Sequence, residues 1–166
     1  MRLRPAVRSD SSDIRAVHLR AFPTEAEADL VEQLVRECDA LISIVAVEDR
    51  EIVGHILFSR MDVEAEGQAL NALGLAPVAV VPQAKGRGIG SALIEAGIAE
   101  ARRLGADIIF VLGDTDFYGR FGFEGETALP FVSPYAGHHF QALLLNQDVG
   151  SVRRGTASYA RAFDEL

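Results

Sequence analysis

The run Lys85-Gly86-Arg87-Gly88-Ile89-Gly90-Ser91 holds the residue types and spacing best suited to chemistry in this chain. Its alternate glycines, Gly86, Gly88 and Gly90, permit positive φ and keep side chains away from a ligand. The valine-rich run Val78-Ala79-Val80-Val81 comes before it and ends at Pro82, and an alanine- and leucine-rich helical pattern begins directly after it. Strand, tight loop and helix start in that order aim unpaired N–H groups and the positive end of a helix dipole into one space. Such a space suits an anion, most often a phosphate or pyrophosphate. Lys85 and Arg87 add mobile positive charge in a chain whose formal net charge is −8.

Two known phosphate patterns fail on spacing. The P-loop needs four residues between its first glycine and Gly-Lys, and this loop lacks them. The dinucleotide fingerprint Gly-x-Gly-x-x-Gly needs a glycine where Ser91 stands, counting from Gly86, or where Leu93 stands, counting from Gly88. The loop also lies mid-chain, after mostly antiparallel strands, and not on the first strand of a doubly wound fold.

The elements that must position this loop can be read on both sides of it. Leu3 to Val7 suits a short strand, and Ser9-Asp10-Ser11-Ser12 offers N-caps for a helix with Ile14, Val17, His18 and Ala21 on its apolar side. Phe22-Pro23 ends that helix, and Ala26 to Cys38 forms a second, amphipathic one. Leu41 to Val47 and Glu51 to Ser59 read as a hairpin. A further strand starts near Ala69 and is disturbed at Gly74 and Pro77, as at a bulge, before reaching Val78. A helix from about Gly88 to Leu104 with Gly105 as C-cap, then a strand at Ile108 to Leu112, complete one βαβ unit. An aromatic turn, Phe117 to Phe123, a strand at Phe140 to Leu145 and an edge strand or arm at Thr156 to Phe163 follow.

Composition narrows the functions open to such a chain. At 166 residues it is expected to form one domain. The net charge of −8 argues against non-specific nucleic-acid binding and against anionic membranes, and hints at a cationic or neutral substrate. Cys38 is the only cysteine, so no internal disulfide or cysteine-based zinc cluster can form. Its spacing from Leu30, Val31, Leu34 and Val35 predicts a small buried hydrophobe on the second helix. The N-terminus has no hydrophobic signal core, and no apolar run nears the ~20 residues of a membrane span, so a cytoplasmic protein is expected.

The loop resembles Gln/Arg-x-x-Gly-x-Gly/Ala, the acetyl-CoA signature of the GCN5-related N-acetyltransferases. Lys85-Gly86-Arg87-Gly88-Ile89-Gly90 matches with Lys85 in the first position, and Gln83-Ala84-Lys85-Gly86-Arg87-Gly88 is a second register. The first leaves Ser91-Ala92-Leu93-Ile94 as the helix start, as is usual in the family. Phe117-Tyr118-Gly119-Arg120-Phe121-Gly122-Phe123 is similar to a later family motif. The likeness runs from Leu3 to Leu145, and the tail resembles a predicted bacterial N-acetyltransferase subgroup.

The resemblance implies an α/β (α+β) GNAT fold: a mixed, mostly antiparallel sheet of about seven strands, splayed at strands 4 and 5, with flanking helices. It implies a domain over residues 1–146 and a C-terminal extension over 147–166. It further implies that the pyrophosphate of acetyl-CoA sits on the N–H groups of Gly86, Arg87, Gly88, Ile89, Gly90 and Ser91 beside Lys85. The pantetheine arm would run along Val78, Ala79 and Val80, with an N–H near Val80 stabilising the oxyanion. Tyr118 would protonate the departing thiolate, and Asp114, Phe117 and Arg120 would contact the cofactor, although Asp114 equally suits a helix cap.

The implied reaction is acetyl transfer to an amine on a small molecule or peptide by direct attack, with no metal. The alternative is a catalytically weak CoA-binding sensor or interaction module. Monomer and homodimer stay open, as do the acceptor, the preferred acyl group and the general base. Glu64 and Glu66 read as solvated, His55 as a packed or hydrogen-bonded strand histidine, and His138 and His139 as pointing to opposite faces of an extended segment.

Overall fold

Apolar–polar alternation in consecutive segments builds most of the sheet in the computed structural model, which describes residues 1–166. Strands β1 (Arg2–Pro5), β2 (Ala40–Glu48) and β3 (Glu51–Ala65) are joined in antiparallel pairs. Asp49 and Arg50 turn β2 into β3 with φ of 48° and 68°, the doubly positive pattern that matches the strands' right-handed twist. Glu66 and Gly67 do the same, with φ of 52° and 78°, between β3 and β4 (Gln68–Val80).

The strand order is β1-β2-β3-β4-β5-β7, with β5 at Ile108–Leu112 and β7 at Phe140–Leu144. β4 and β5 are parallel and joined by α3 (Ile89–Arg103); β5 and β7 are antiparallel. This is the mixed, mostly antiparallel sheet with flanking helices that the family resemblance implies. Eight strands are present where about seven were expected. β6 (Phe131–Val132) is too short to carry a sequence period. β8 (Gly155–Tyr159) is no edge: it pairs antiparallel with Met61–Ala65 of β3 and parallel with β6. Gly155 allows this, because a Cβ there would lie 2.6 Å from the Phe131 ring and 2.7 Å from the Glu64 carbonyl oxygen.

The chain divides into two units. The first comprises Met1–Ser59, Ala76–Glu100 and Arg161–Leu166. In it α1 (Ser11–Ala21) and α2 (Ala26–Arg36) bury Val17, Ala28 and Leu34, while β2, β3 and α3 bury Val45, Ile56, Leu57, Phe58, Leu93 and Ile94. Close approach of α3 to β3 depends on Gly97, where a Cβ would fall 2.1 Å from the Phe58 ring. Arg161 hydrogen-bonds Glu37 at the end of α2, and Ala162 and Phe163 are buried.

The second unit comprises Arg60–Leu75 and Ala101–Ala160. Its core is aromatic: Phe110 meets Phe131 edge-on at 5.1 Å and stacks on Phe140 at 5.2 Å. It contains the short helices α4 (Thr115–Gly119) and α5 (Gly125–Ala128).

Cys38 departs from expectation: it is exposed, not a buried hydrophobe. α2 ends at Arg36 and Cys38 takes φ of 62°, so the helical phase that would have turned its thiol inward stops two residues earlier.

Candidate cofactor loop and acid-bearing turn

The anion loop lies wholly in the first unit. β4 ends at Val80, a single turn of 3-10 helix spans Pro82–Ala84, and the chain reaches Ile89 at the start of α3. Gly86 and Gly88 carry φ of 78° and 80°, conformations that an L side chain rarely adopts. Gly90 is different: it is helical, and a Cβ there would meet nothing nearer than a Val80 methyl at 3.8 Å. The backbone therefore favours glycine at 86 and 88 but not at 90. The first main-chain bond of the helix runs from the Ala92 N–H to the Gly88 carbonyl at 3.0 Å. The N–H groups of Ile89, Gly90 and Ser91 precede it and have no carbonyl one turn back within α3.

Charge at this loop is partly committed. Lys85 is exposed and unpaired. Arg87, expected as a mobile cation, bonds Glu48 at the end of β2 at 2.9 Å. Ile89 fills the space that Gly54 opens on β3, where a Cβ would lie 3.2 Å from Ile89 and 3.1 Å from Leu93. That contact fixes the height of the helix start above the sheet.

The strand leading to the loop carries the disturbance expected from Gly74 and Pro77. Its pairing with β5 covers Ala72, Leu73 and Gly74 and stops there. The Ala76–Pro77 bond is cis. On the other side of β4 the Val81 N–H donates to the Val53 carbonyl at 2.9 Å. Ala79 is buried and Val80 half-buried.

The second candidate segment lies in the second unit. Asp114 caps α4, its Oδ1 accepting from the Asp116 N–H at 2.8 Å and the Phe117 N–H at 3.4 Å. Of the two roles open to it, the cap is the one realised by these contacts. Tyr118 then falls on the first turn of a fixed helix, with its ring against Gly113, where a Cβ would be 2.5 Å away. Phe117 meets that ring edge-on at 5.0 Å and Phe123 at 5.9 Å. Burial raises the Tyr118 pKa above its ordinary value near 10, so the phenol keeps its proton at neutral pH. The Arg120 guanidinium lies 4.7 Å over the Phe117 ring and also faces Phe121.

The histidines separate into two sets. His138 and His139 are exposed, with His139 Nδ1 3.2 Å from the Gly113 carbonyl. His55 is fully buried; its Nδ1 lies 2.8 Å from His18 Nε2 and its Nε2 lies 2.8 Å from the Ser43 hydroxyl. Burial pushes His18 down to about 4 and His55 to about 3, the latter helped by the charge His18 would carry. A polar partner for His55 was foreseeable from its strand position. That the partner is His18, 37 residues away, has no local signal. No group of three or more His, Cys, Asp or Glu residues is arranged to hold a metal, and no helix is long and apolar enough to cross a membrane.

Comparison with known proteins bears on the same segments. The family model described as "Acetyltransferase (GNAT) domain" matches residues 2–125. The chain is 40% identical over 137 residues to the uncharacterized N-acetyltransferase YjhQ of Escherichia coli strain K12, covering 80% of this chain and 76% of that protein. The structure of the GNAT family N-acetyltransferase YhbS from Escherichia coli in complex with CoA is similar over 98% of this chain and 91% of that one, with a TM-score of 0.89 at 29% identity. A GNAT family acetyltransferase from Brucella melitensis in complex with acetyl-CoA gives a TM-score of 0.80 at 32% identity, over 98% of this chain and 97% of that one.

Proposed function

The chain belongs to the GNAT acetyltransferase family, and as an acetyl-CoA-dependent N-acetyltransferase of that family, we propose, it moves the acetyl group by direct attack of a neutral amine on the thioester. The observation that carries this reading is the donor array at the start of α3. Two positive-φ glycines, Gly86 and Gly88, shape the loop, and the N–H groups of Ile89, Gly90 and Ser91 stand open at the positive end of the helix. The pyrophosphate sits there, with Gly86, Arg87 and Gly88 as further donors and Lys85 as a point charge. Arg87 exchanges its Glu48 partner for the phosphate.

The pantetheine arm pairs with the backbone of Val78–Val80, the part of β4 beyond its last β5 partner, Gly74. The Val80 N–H polarises the thioester carbonyl and stabilises the oxyanion formed on attack. Asp114 spends Oδ1 on its cap, which leaves Oδ2 to accept from an amide of the arm. Phe117 and Arg120, held as a cation–π pair, contact the cofactor as well.

Collapse of the tetrahedral intermediate breaks the carbon–sulfur bond, and Tyr118 donates its proton to the departing thiolate. Burial keeps Tyr118 protonated at neutral pH, so the phenol proton is present when the thiolate forms. The proton lost by the amine passes to solvent.

Thermal unfolding with CoA, ATP and NAD, followed by thiol release from acetyl-CoA over an amine panel, tests the reading. CoA at about 100 times its Kd should stabilise the fold by about 2.7 kcal/mol. No CoA-dependent shift at millimolar concentration would sink the cofactor assignment. A shift without thiol release from any amine would leave a CoA-binding module.

A further inference from the structure

The first unit contains another concavity, which shares no residue with the cofactor loop. A groove of about 890 Å³ opens between α1, α2 and the Ala40 end of β2. β1 pairs with β2 only over Ile44–Val47, so the edge of β2 before Ser43 has no β1 partner, and Ala40 and Ser43 line the groove. Ile14, Ala28 and Val31 give it an apolar bottom. Val35 stands on its wall with 58% of its surface in water.

The charges around it are unbalanced in one direction. Arg15 is held by Asp29 at 3.0 Å and by Glu32 at 2.8 Å, so its charge is answered. Arg8 and Arg36 also line the groove, both are exposed, and neither enters an ion pair. In a chain of net charge −8, with 24 acidic residues against 16 basic, a concave face on which Arg8, Arg15 and Arg36 outnumber Asp29 and Glu32 is a local reversal of sign. The Ser43 hydroxyl is already engaged by His55.

We propose that this groove binds an amphipathic organic anion, its apolar body on Val31 and Val35 and its single carboxylate or phosphate head on Arg8 and Arg36. The volume lies within the 300–1,000 Å³ range of small-molecule sites. Guanidinium forks give a planar anion charge-assisted hydrogen bonds that neither an alcohol nor an ammonium can accept in the same way. The apolar floor supplies affinity through burial, and the arginines select the sign of the head.

Titration of the full chain, followed by amide chemical shifts, tests this with octanoate, octyl phosphate, octanol and octylammonium. Saturable shifts at Val31, Val35 and Ser43 are expected with at least one of the two anions, and binding of octanol and octylammonium should be at least tenfold weaker. Which anion binds tells whether the head is a carboxylate or a phosphate. Arg8→Ala with Arg36→Ala should weaken the anion at least tenfold at an unchanged melting temperature. Val35→Glu, at an exposed position, should do so too. Absence of saturable shifts with both anions, equal binding of octanol, or wild-type anion affinity in the double arginine variant would overturn the proposal.

Discussion

His18 Nε2 lies 2.8 Å from His55 Nδ1, and both rings are sealed from solvent. Two neutral imidazoles can share one proton in this way, but charging either ring puts a cation into the core. Folded-state values of about 4 for His18 and about 3 for His55 lie below the ordinary 6.5, so the unfolded chain binds more protons as pH falls. Stability is therefore retained above about pH 6.5 and lost on acidification towards pH 4. For His18 alone the loss at pH 4 is on the order of 3 kcal/mol. Asp10 acts in the same direction at lower pH. Its hydrogen bond from Arg4 holds it down to about 2, so its contribution fades as pH falls from about 4 towards 2. Urea unfolding at pH 7, 5.5 and 4.5 should show this slope, and His18→Leu with His55→Val should flatten most of it above pH 4.

The loop glycines should divide by mechanism. Gly86→Ala and Gly88→Ala force a Cβ into positive φ and should each cost roughly 1–2 kcal/mol of stability as well as CoA affinity. Gly90→Ala has ordinary contacts and should leave the melting temperature unchanged or slightly raised. A fall in CoA affinity of tenfold or more in that variant would assign Gly90 to the ligand. Wild-type affinity would show that the ligand leaves room for a methyl there while the main-chain N–H still donates.

Gly97→Ala places a methyl inside the Phe58 ring and should destabilise by about 1–3 kcal/mol, since overpacked cores relax only in part. Phe58→Leu in the same chain should recover part of the loss. Calorimetry of the two single variants and the double variant measures that coupling.

Tyr118→Phe keeps the edge-on ring contacts with Phe117 and Phe123 and removes only the phenol. Turnover should fall by roughly 10²–10⁴-fold, the usual worth of a positioned acid, with CoA affinity and stability intact. The wild-type rate should also hold into alkaline solution before Tyr118 ionises, because burial raises its pKa. An unchanged rate in Tyr118→Phe would take the acid role away from this residue.

The segments legible in the sequence were those with local physics behind them. Val78 to Ser91 announces strand, loop and helix through valines, alternating glycines and an alanine-rich run, and the structure has all three in that order. Helix α1 stops before Phe22-Pro23 as proline sterics require. What escaped the sequence was set by distant partners. The Arg87–Glu48 pair joins residues 39 apart, and the β8–β3 register joins Tyr159 to Met61. Cys38 departs from its expected burial because periodicity says where an apolar face points but not where the helix stops.

The order in which the two units use the chain has a consequence for synthesis. The first takes residues 1–59, 76–100 and 161–166, and the second takes 60–75 and 101–160. Neither is a continuous stretch, so no single cleavage or stop codon releases either as a fragment. On the ribosome, the second unit has all its residues before the first does. Arg161, which bonds to Glu37, emerges 124 residues after it, together with Ala162 and Phe163, which are buried. Until then α2 waits on a nascent chain with that neighbour missing, and a chain stalled before Arg161 would leave its end open to chaperones and proteases.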